Sequence, residues 1–252
     1  MSSVWVGLIA FACLFGTAVL GTFVRPRLPE HHQSADSQRI VNRGTGIIGT
    51  MAALVLGLLI ASAKGSFDTQ SNELTVMAAK IALLDHALAL YGPDAQNSHD
   101  LLRRLVDLTV KELWPDERNL QQNAPGAQRD TTGQLYQSID ELSPQNDLQR
   151  AIKTQATGMI SQLAELRWLI LEQRRGSVSQ PLLVILIVSL AINVFTFGLF
   201  APRNPTVMAT LCVCALAAAG AIYLMIEFYH PYGGLIQIPS ATLQNALVQW
   251  GQ

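Results

Sequence analysis

Gly44-Thr-Gly-Ile-Ile-Gly-Thr-Met-Ala-Ala-Leu-Val-Leu-Gly-Leu-Leu-Ile-Ala-Ser-Ala-Lys-Gly-Ser-Phe-Asp68 decides the fold. Between Arg43 and Lys64 lie 20 residues without a charge, the length a helix needs to cross a hydrocarbon core of about 30 Å. Within this run Gly49, Ala53, Gly57 and Ala61 recur every fourth position and stack along one helical face. Small residues at that spacing let a second helix approach closely, the main source of helix association in lipid. The opposite face carries Ile47, Met51, Leu54, Val55 and Leu58. One side is therefore shaped for protein contact, in a bundle or between chains, and the other for lipid or a dry constriction.

The rest of the composition agrees with a membrane protein. Charged residues make up 14 % of the 252, against about 25 % in a soluble domain. Half the residues are apolar and they fall in blocks. A net charge of −1 with no basic helix face argues against a nucleic-acid partner. Cys13, Cys212 and Cys214 all lie inside apolar runs, without disulfide or zinc spacing.

Val4 to Val24 is a further span, closed by Arg25-Pro-Arg27. It lacks the basic start and Ala-x-Ala site of a cleaved signal, so it reads as a retained helix. Residues 25–43 read as a short polar loop holding His31 and His32, which are adjacent and lack further metal ligands. After the second span Leu74, Met77, Ile81, Leu84, Leu88 and Tyr91 step by 3, 4, 3, 4 and 3, a heptad stripe that ends at Gly92-Pro93. Helix two thus leaves the membrane and continues as a stalk, about 70 Å long if unbroken from 44 to 91.

Ser98 to Trp114 reads as a helix with Leu101, Leu102, Leu105 and Leu108 inside, and 115–134 as a loop rich in Asn, Gln, Gly and Pro. Ser143-Pro144 predicts a helix start, from which Ile152, Ala156, Met159, Leu163, Leu166 and Ile170 form a returning heptad stripe. Gly176 to Pro181 is a hinge, Leu182 to Phe200 the third span and Thr206 to Ile226 the fourth. The tail ends in a short helix after Ser240, with Leu243, Leu247 and Trp250 on one side, suited to lie on the membrane or on the helical domain.

Candidate chemistry is sparse. Asn193 is a polar residue inside a span, where an amide either lines a pathway or hydrogen-bonds a neighbouring helix. Glu227 and His230 form a single Glu-x-x-His pair, too few ligands for a metal centre. Lys64 either snorkels to the headgroups or draws anions to a pore mouth. No phosphate loop, serine elbow or nucleophile–base pair is present, so no enzymatic activity, cofactor or metal is expected. The loop side of the spans carries Arg25, Arg27, Arg39, Arg43 and Arg203, and the domain side Lys64, Lys80, Arg167, Arg174 and Arg175. The count is balanced, the density leans toward the short loop being cytoplasmic, and charge alone leaves the orientation open.

Thr50 to Asp68 resembles the signature of the bacterial bestrophin-like membrane proteins. Leu-Pro-Glu-His-His (28–32), Leu-Asp (84–85), Tyr-Gly-Pro (91–93), Gly-Leu-Phe-Ala-Pro-Arg-Asn (198–204) and Glu227 with Pro231 and Gly234 fit the same family. The resemblance extends to true bestrophins, pentameric anion channels whose second helix lines the pore. Lys64 and Phe67 stand at comparable places with different spacing, and the acidic calcium clasp of animal bestrophins has no counterpart here. The expected fold is all-α. Residues 1–68 hold two membrane helices, 69–180 a soluble helical domain, 181–230 two further membrane helices and 231–252 a tail. The resemblance implies a homo-oligomer, a pentamer, in the lipid bilayer of the inner (plasma) membrane that passes small inorganic ions. Met51, Leu54, Leu58 and Lys64 are then the pore candidates, with the central domain and both termini cytoplasmic. The alternative is a non-conducting scaffold or sensor whose helical domain docks a partner.

Overall fold

The computed structural model describes residues 3–27, 35–114, 127–173, 180–202 and 204–248. His31, His32, Pro115, Arg174, Arg175, hinge residues 176–179, Arg203 and Trp250 lie outside them. Every regular element among the described residues is helical: α1 (Ser3–Val24), α2 (Ala35–Tyr91), α3 (Gln96–Leu113), α4 (Ala127–Asp140), α5 (Asp147–Gln173), α6 (Gln180–Phe200), α7 (Pro205–Phe228) and α8 (Ala241–Val248). Four of them, α1, α2, α6 and α7, are long and apolar enough to cross a membrane. The chain divides into two compact units, residues 1–67 with 177–236 and residues 68–176 with 237–252.

The first unit joins α1, α6, α7 and the first part of α2. Its tightest joint is between α1 and α6. A Cβ at Gly198 would overlap the Ala18 carbonyl, and one at Gly21 would overlap the Phe195 carbonyl. The two backbones therefore touch where neither helix has a side chain, as small residues allow in lipid. Leu14, Ala18, Val194, Leu211 and Ala215 fill the layer beside this contact. Arg25 extends from the end of α1 and its Nη1 donates to the Ala201 carbonyl at 2.6 Å, a cation placed on the negative end of α6.

The second unit is a helical bundle around the last part of α2. Leu74, Met77, Ile81, Leu84, Leu88 and Tyr91 are all buried. From α5 Ile152, Ala156, Ile160, Leu163 and Ile170 are buried, whereas Met159 and Leu166 are half-buried at the edge of the seam. On α3 the buried positions are Leu102, Val106, Thr109 and Leu113, with Leu101, Leu105 and Leu108 half-buried. Polar ties hold the helix ends: Gln149 Nε2 donates to the Tyr91 carbonyl at 3.0 Å, and Gln173 Nε2 to Glu73 at 2.8 Å. Helix α8 packs on α3 through buried Leu243 and Ala246. The Trp114 indole N–H, donating to the Ile238 carbonyl at 2.9 Å, fixes the strand of chain before it.

Three boundaries differ from the sequence expectation. Helix α2 begins at Ala35, not near Gly44. Residues 35–43 contain no Gly or Pro, and Asp36 sits in the first turn where the helix dipole favours an acid. Gly44 and Gly46 cost about 1 kcal/mol each inside a helix, too little to end one this long. Helix α4 starts at Ala127 inside the expected loop, because Thr131, Leu135, Ser138 and Ile139 form a buried face despite a polar composition. Helix α5 starts at Asp147, not Pro144. Asn146 is the cap, its Oδ1 accepting the Gln149 N–H at 2.8 Å.

Gly198→Ala forces α1 and α6 apart and is expected to cost about 1–3 kcal/mol by overpacking. Gly57→Ala, where a Cβ meets open space in this chain, is expected to leave the fold of the protomer unchanged. Thermal unfolding of the two variants in the same detergent checks the contrast.

Candidate functional site

Helix α2 docks into the first unit through one narrow face. Thr45, Ala52, Leu59 and Ala63 are buried, with Val55, Leu56 and Ile60 partly buried against the same cluster. Opposing them are Ala10 of α1, Leu186 of α6, and Ala219, Ile222, Met225 and Ile226 of α7. Val55 thus belongs to the inner face, although the sequence groups it with Leu54 and Leu58. The period explains it: at 100° per residue, Val55 lies about 60° from Ala52 and Leu54 about 160° away.

Asn193 is buried and donates from Nδ2 to the Thr45 carbonyl at 2.7 Å. That carbonyl sits where an α-helical bond to the Gly49 N–H already uses one lone pair, so Asn193 takes the second. A Cβ at position 49 would stand 2.6 Å from Asn193 Nδ2. Gly49 is the residue that lets the amide in. The other members of the small-residue ladder behave differently: Ala53, Gly57 and Ala61 are exposed in the single chain.

The outward face of α2 is broad and apolar. Ile47 (61 %), Met51 (64 %), Leu54 (75 %) and Leu58 (70 %) are exposed, and Arg43 stands one turn before Ile47, also exposed. Only 17 % of the apolar window of α2 is buried, against 22 %, 28 % and 33 % in α1, α6 and α7, so α2 has the most surface left to cover. Lys64 lies about 80–120° around the helix from Leu54 and Leu58. Its Nζ sits 5.6 Å from the centre of the Phe67 ring and 5.9 Å from that of Phe228, within reach of a cation–π attraction. The two rings meet edge to face at 5.6 Å.

Glu227 is fully buried at the end of α7. Its Oε1 accepts the backbone N–H groups of Leu235 and, at 3.1 Å, Ile236, while the Ser3 hydroxyl and Tyr223 phenol lie beside the carboxylate. Gly234 makes this turn with φ 95°, and a Cβ there would overlap the carboxylate. Pro231-Tyr-Gly-Gly is therefore folded back over the helix end by one buried acid. His230, the other member of the Glu-x-x-His pair, keeps its Nδ1 2.9 Å from the Ile226 carbonyl. Among the described residues no three His, Cys, Asp or Glu side chains gather as a metal site.

The glycine pair of α1 and α6 and the backbone clamp of Glu227 carry no sequence signal as separate residues. Each depends on two segments far apart in the chain. Glu227→Ala leaves two N–H groups without their acceptor and is expected to destabilise the protein by about 1–3 kcal/mol. Glu227→Gln, which keeps an acceptor oxygen, should cost less, and Gly234→Ala should resemble Glu227→Ala. Melting temperatures of the detergent-solubilised variants rank the three.

A family model described as bestrophin-like domain matches residues 12–243. No curated protein matches the chain, and no solved structure does. The matched region takes in all four apolar spans except the first residues of α1, together with the helical domain between α2 and α6, and the chain is a membrane protein of the bestrophin-like family.

Proposed function

We propose that this protein assembles as a ring of copies, five by the family resemblance, in which α2 lines a path for small inorganic ions. The observation that carries the reading is the outward face of α2, apolar through Ile47, Met51, Leu54 and Leu58 and least covered of the four spans. In a ring this face turns to the axis. Ala53, Gly57 and Ala61 lie to one side of it and give a neighbouring helix its close approach.

Such a lumen has no hydroxyl, amide or charge from Met51 to Ala61. Ions pass it only when the rings of Leu54 and Leu58 wet, the hydrophobic gating of narrow constrictions. Arg43, on the same face at one end, supplies a ring of positive charge that favours anions. Lys64 stands to the side of that face and adds to the field at the other mouth. The helical domain and both termini are cytoplasmic, and the ring sits in the inner membrane.

Flux of chloride from liposomes tests the reading. Leu58→Ser is expected to raise the rate, and a ten-fold gain corresponds to about 1.4 kcal/mol off the wetting barrier. Arg43→Glu is expected to shift preference from anions toward cations. If wild type and both variants conduct nothing while the ring is intact, the protein is a scaffold or sensor. An alkaline phosphatase fusion at Gln121 should be inactive; an active one places the helical domain outside.

A further inference from the structure

In the first unit a cleft of about 440 Å³ opens where α1 ends and α7 begins. Ligand sites commonly measure about 300–1,000 Å³. Thr22 and Phe23 line the cleft from α1, Pro202 from the turn after α6, and Val207, Met208 and Leu211 from α7. Thr22 and Leu211 are buried, whereas Phe23 and Met208 are exposed, so the cleft has a closed inner wall and an open side. The Thr22 hydroxyl donates to the Val19 carbonyl of its own helix at 2.7 Å. What remains along the wall is apolar, and it belongs to two membrane spans.

The mouth of the same cleft is positive. Arg25 and Arg27 follow directly after Phe23 and Val24. The bond from Arg25 to the Ala201 carbonyl holds its charge beside Pro202, and Arg27 is exposed. Helix α7 opens with Pro205, has no acid in its first turn and no side chain hydrogen-bonded over its start, so the positive end of its dipole faces the mouth without a cap. From Ser3 to Arg27 and from Pro181 to Ile226 the chain has no Asp or Glu. Asp36, on α2 of this unit, is paired with Arg39 at 3.5 Å. The cleft thus joins an apolar wall to a cationic end, which is the complement of an anionic amphiphile.

We propose that this cleft binds an anionic glycerophospholipid, with an acyl chain against Phe23, Met208 and Leu211 and the phosphodiester at Arg25, Arg27 and the first turn of α7. Phosphate oxygens accept both from guanidinium groups and from backbone N–H groups at a helix start. An ethanolamine headgroup brings an ammonium up to two arginines, and like charges disfavour it. Inorganic phosphate matches the mouth but leaves the apolar wall uncovered. The bilayer around the spans supplies the lipid. The site takes no residue from α2 and depends neither on the oligomer nor on conduction.

Native mass spectrometry of the delipidated full chain in detergent tests this, with dioleoyl phosphatidylglycerol and dioleoyl phosphatidylethanolamine as probes. The expected result for wild type is one phosphatidylglycerol per chain, held roughly ten-fold more tightly than phosphatidylethanolamine, or about 1.4 kcal/mol. Met208→Trp plugs the cleft from its open side and should abolish that preference. Arg25→Gln also removes the bond to Ala201, so Arg27→Gln, at an exposed side chain, is measured beside it, and both should weaken phosphatidylglycerol binding. Leu8→Trp, elsewhere on α1, and Arg39→Gln, outside the cleft, should bind as wild type does. Equal binding of the two lipids by wild type overturns the proposal. So does undiminished binding by Met208→Trp, or by both arginine variants, and so does an equal loss in Leu8→Trp and Arg39→Gln. Displacement of phosphatidylglycerol by inorganic phosphate would make the mouth a phosphate site and overturn the lipid as its occupant.

Discussion

Lipid gives a peptide group no hydrogen-bond partner, so each span must satisfy its backbone within one helix. With no hydrophobic drive between apolar helices, shape and a few polar contacts are left to hold spans together. The rest of the first unit depends on how closely its helices come. Gly21 and Gly198 bring α1 and α6 to backbone contact. Gly49 admits the Asn193 amide to the Thr45 carbonyl, adding one bond between α6 and α2. Glu227 then closes the end of α7 by holding two backbone N–H groups of the following turn.

These contacts use one face of α2 and leave the other free. In the first unit Ile47, Met51, Leu54 and Leu58 are exposed, and in the second unit Val76, Ala79, Leu83 and Leu90 are exposed. Lipid covers the first group at no cost.

Much of this was legible in the sequence, and the failures have physical causes. The spans were readable because charge is excluded from lipid: Val4 to Val24 became Ser3–Val24, and Leu182 to Phe200 became Gln180–Phe200. The stripe from Leu74 to Tyr91 was readable because water forces apolar and polar residues apart. Inside the membrane that contrast vanishes. Ala52, Leu59 and Ala63 face the core while Leu54 and Leu58 face out, yet no polar neighbour marks which is which. The start of α4 was hidden because its buried face includes Thr131 and Ser138. Ser138 is satisfied there by a 2.9 Å contact to the Ser98 hydroxyl, a partner 40 residues away. Glu227 was visible as half of a Glu-x-x-His pair at the end of a span, but not as a clamp, since its partners are backbone groups that any sequence possesses.

The account turns on whether copies of this chain associate at all, and light-scattering mass of the purified protein in detergent measures that most directly. The account predicts a protein mass several times the 27.4 kDa of one chain, five times if the family resemblance holds, stable on dilution. A protein mass equal to one chain, in a detergent that preserves the fold, would contradict it.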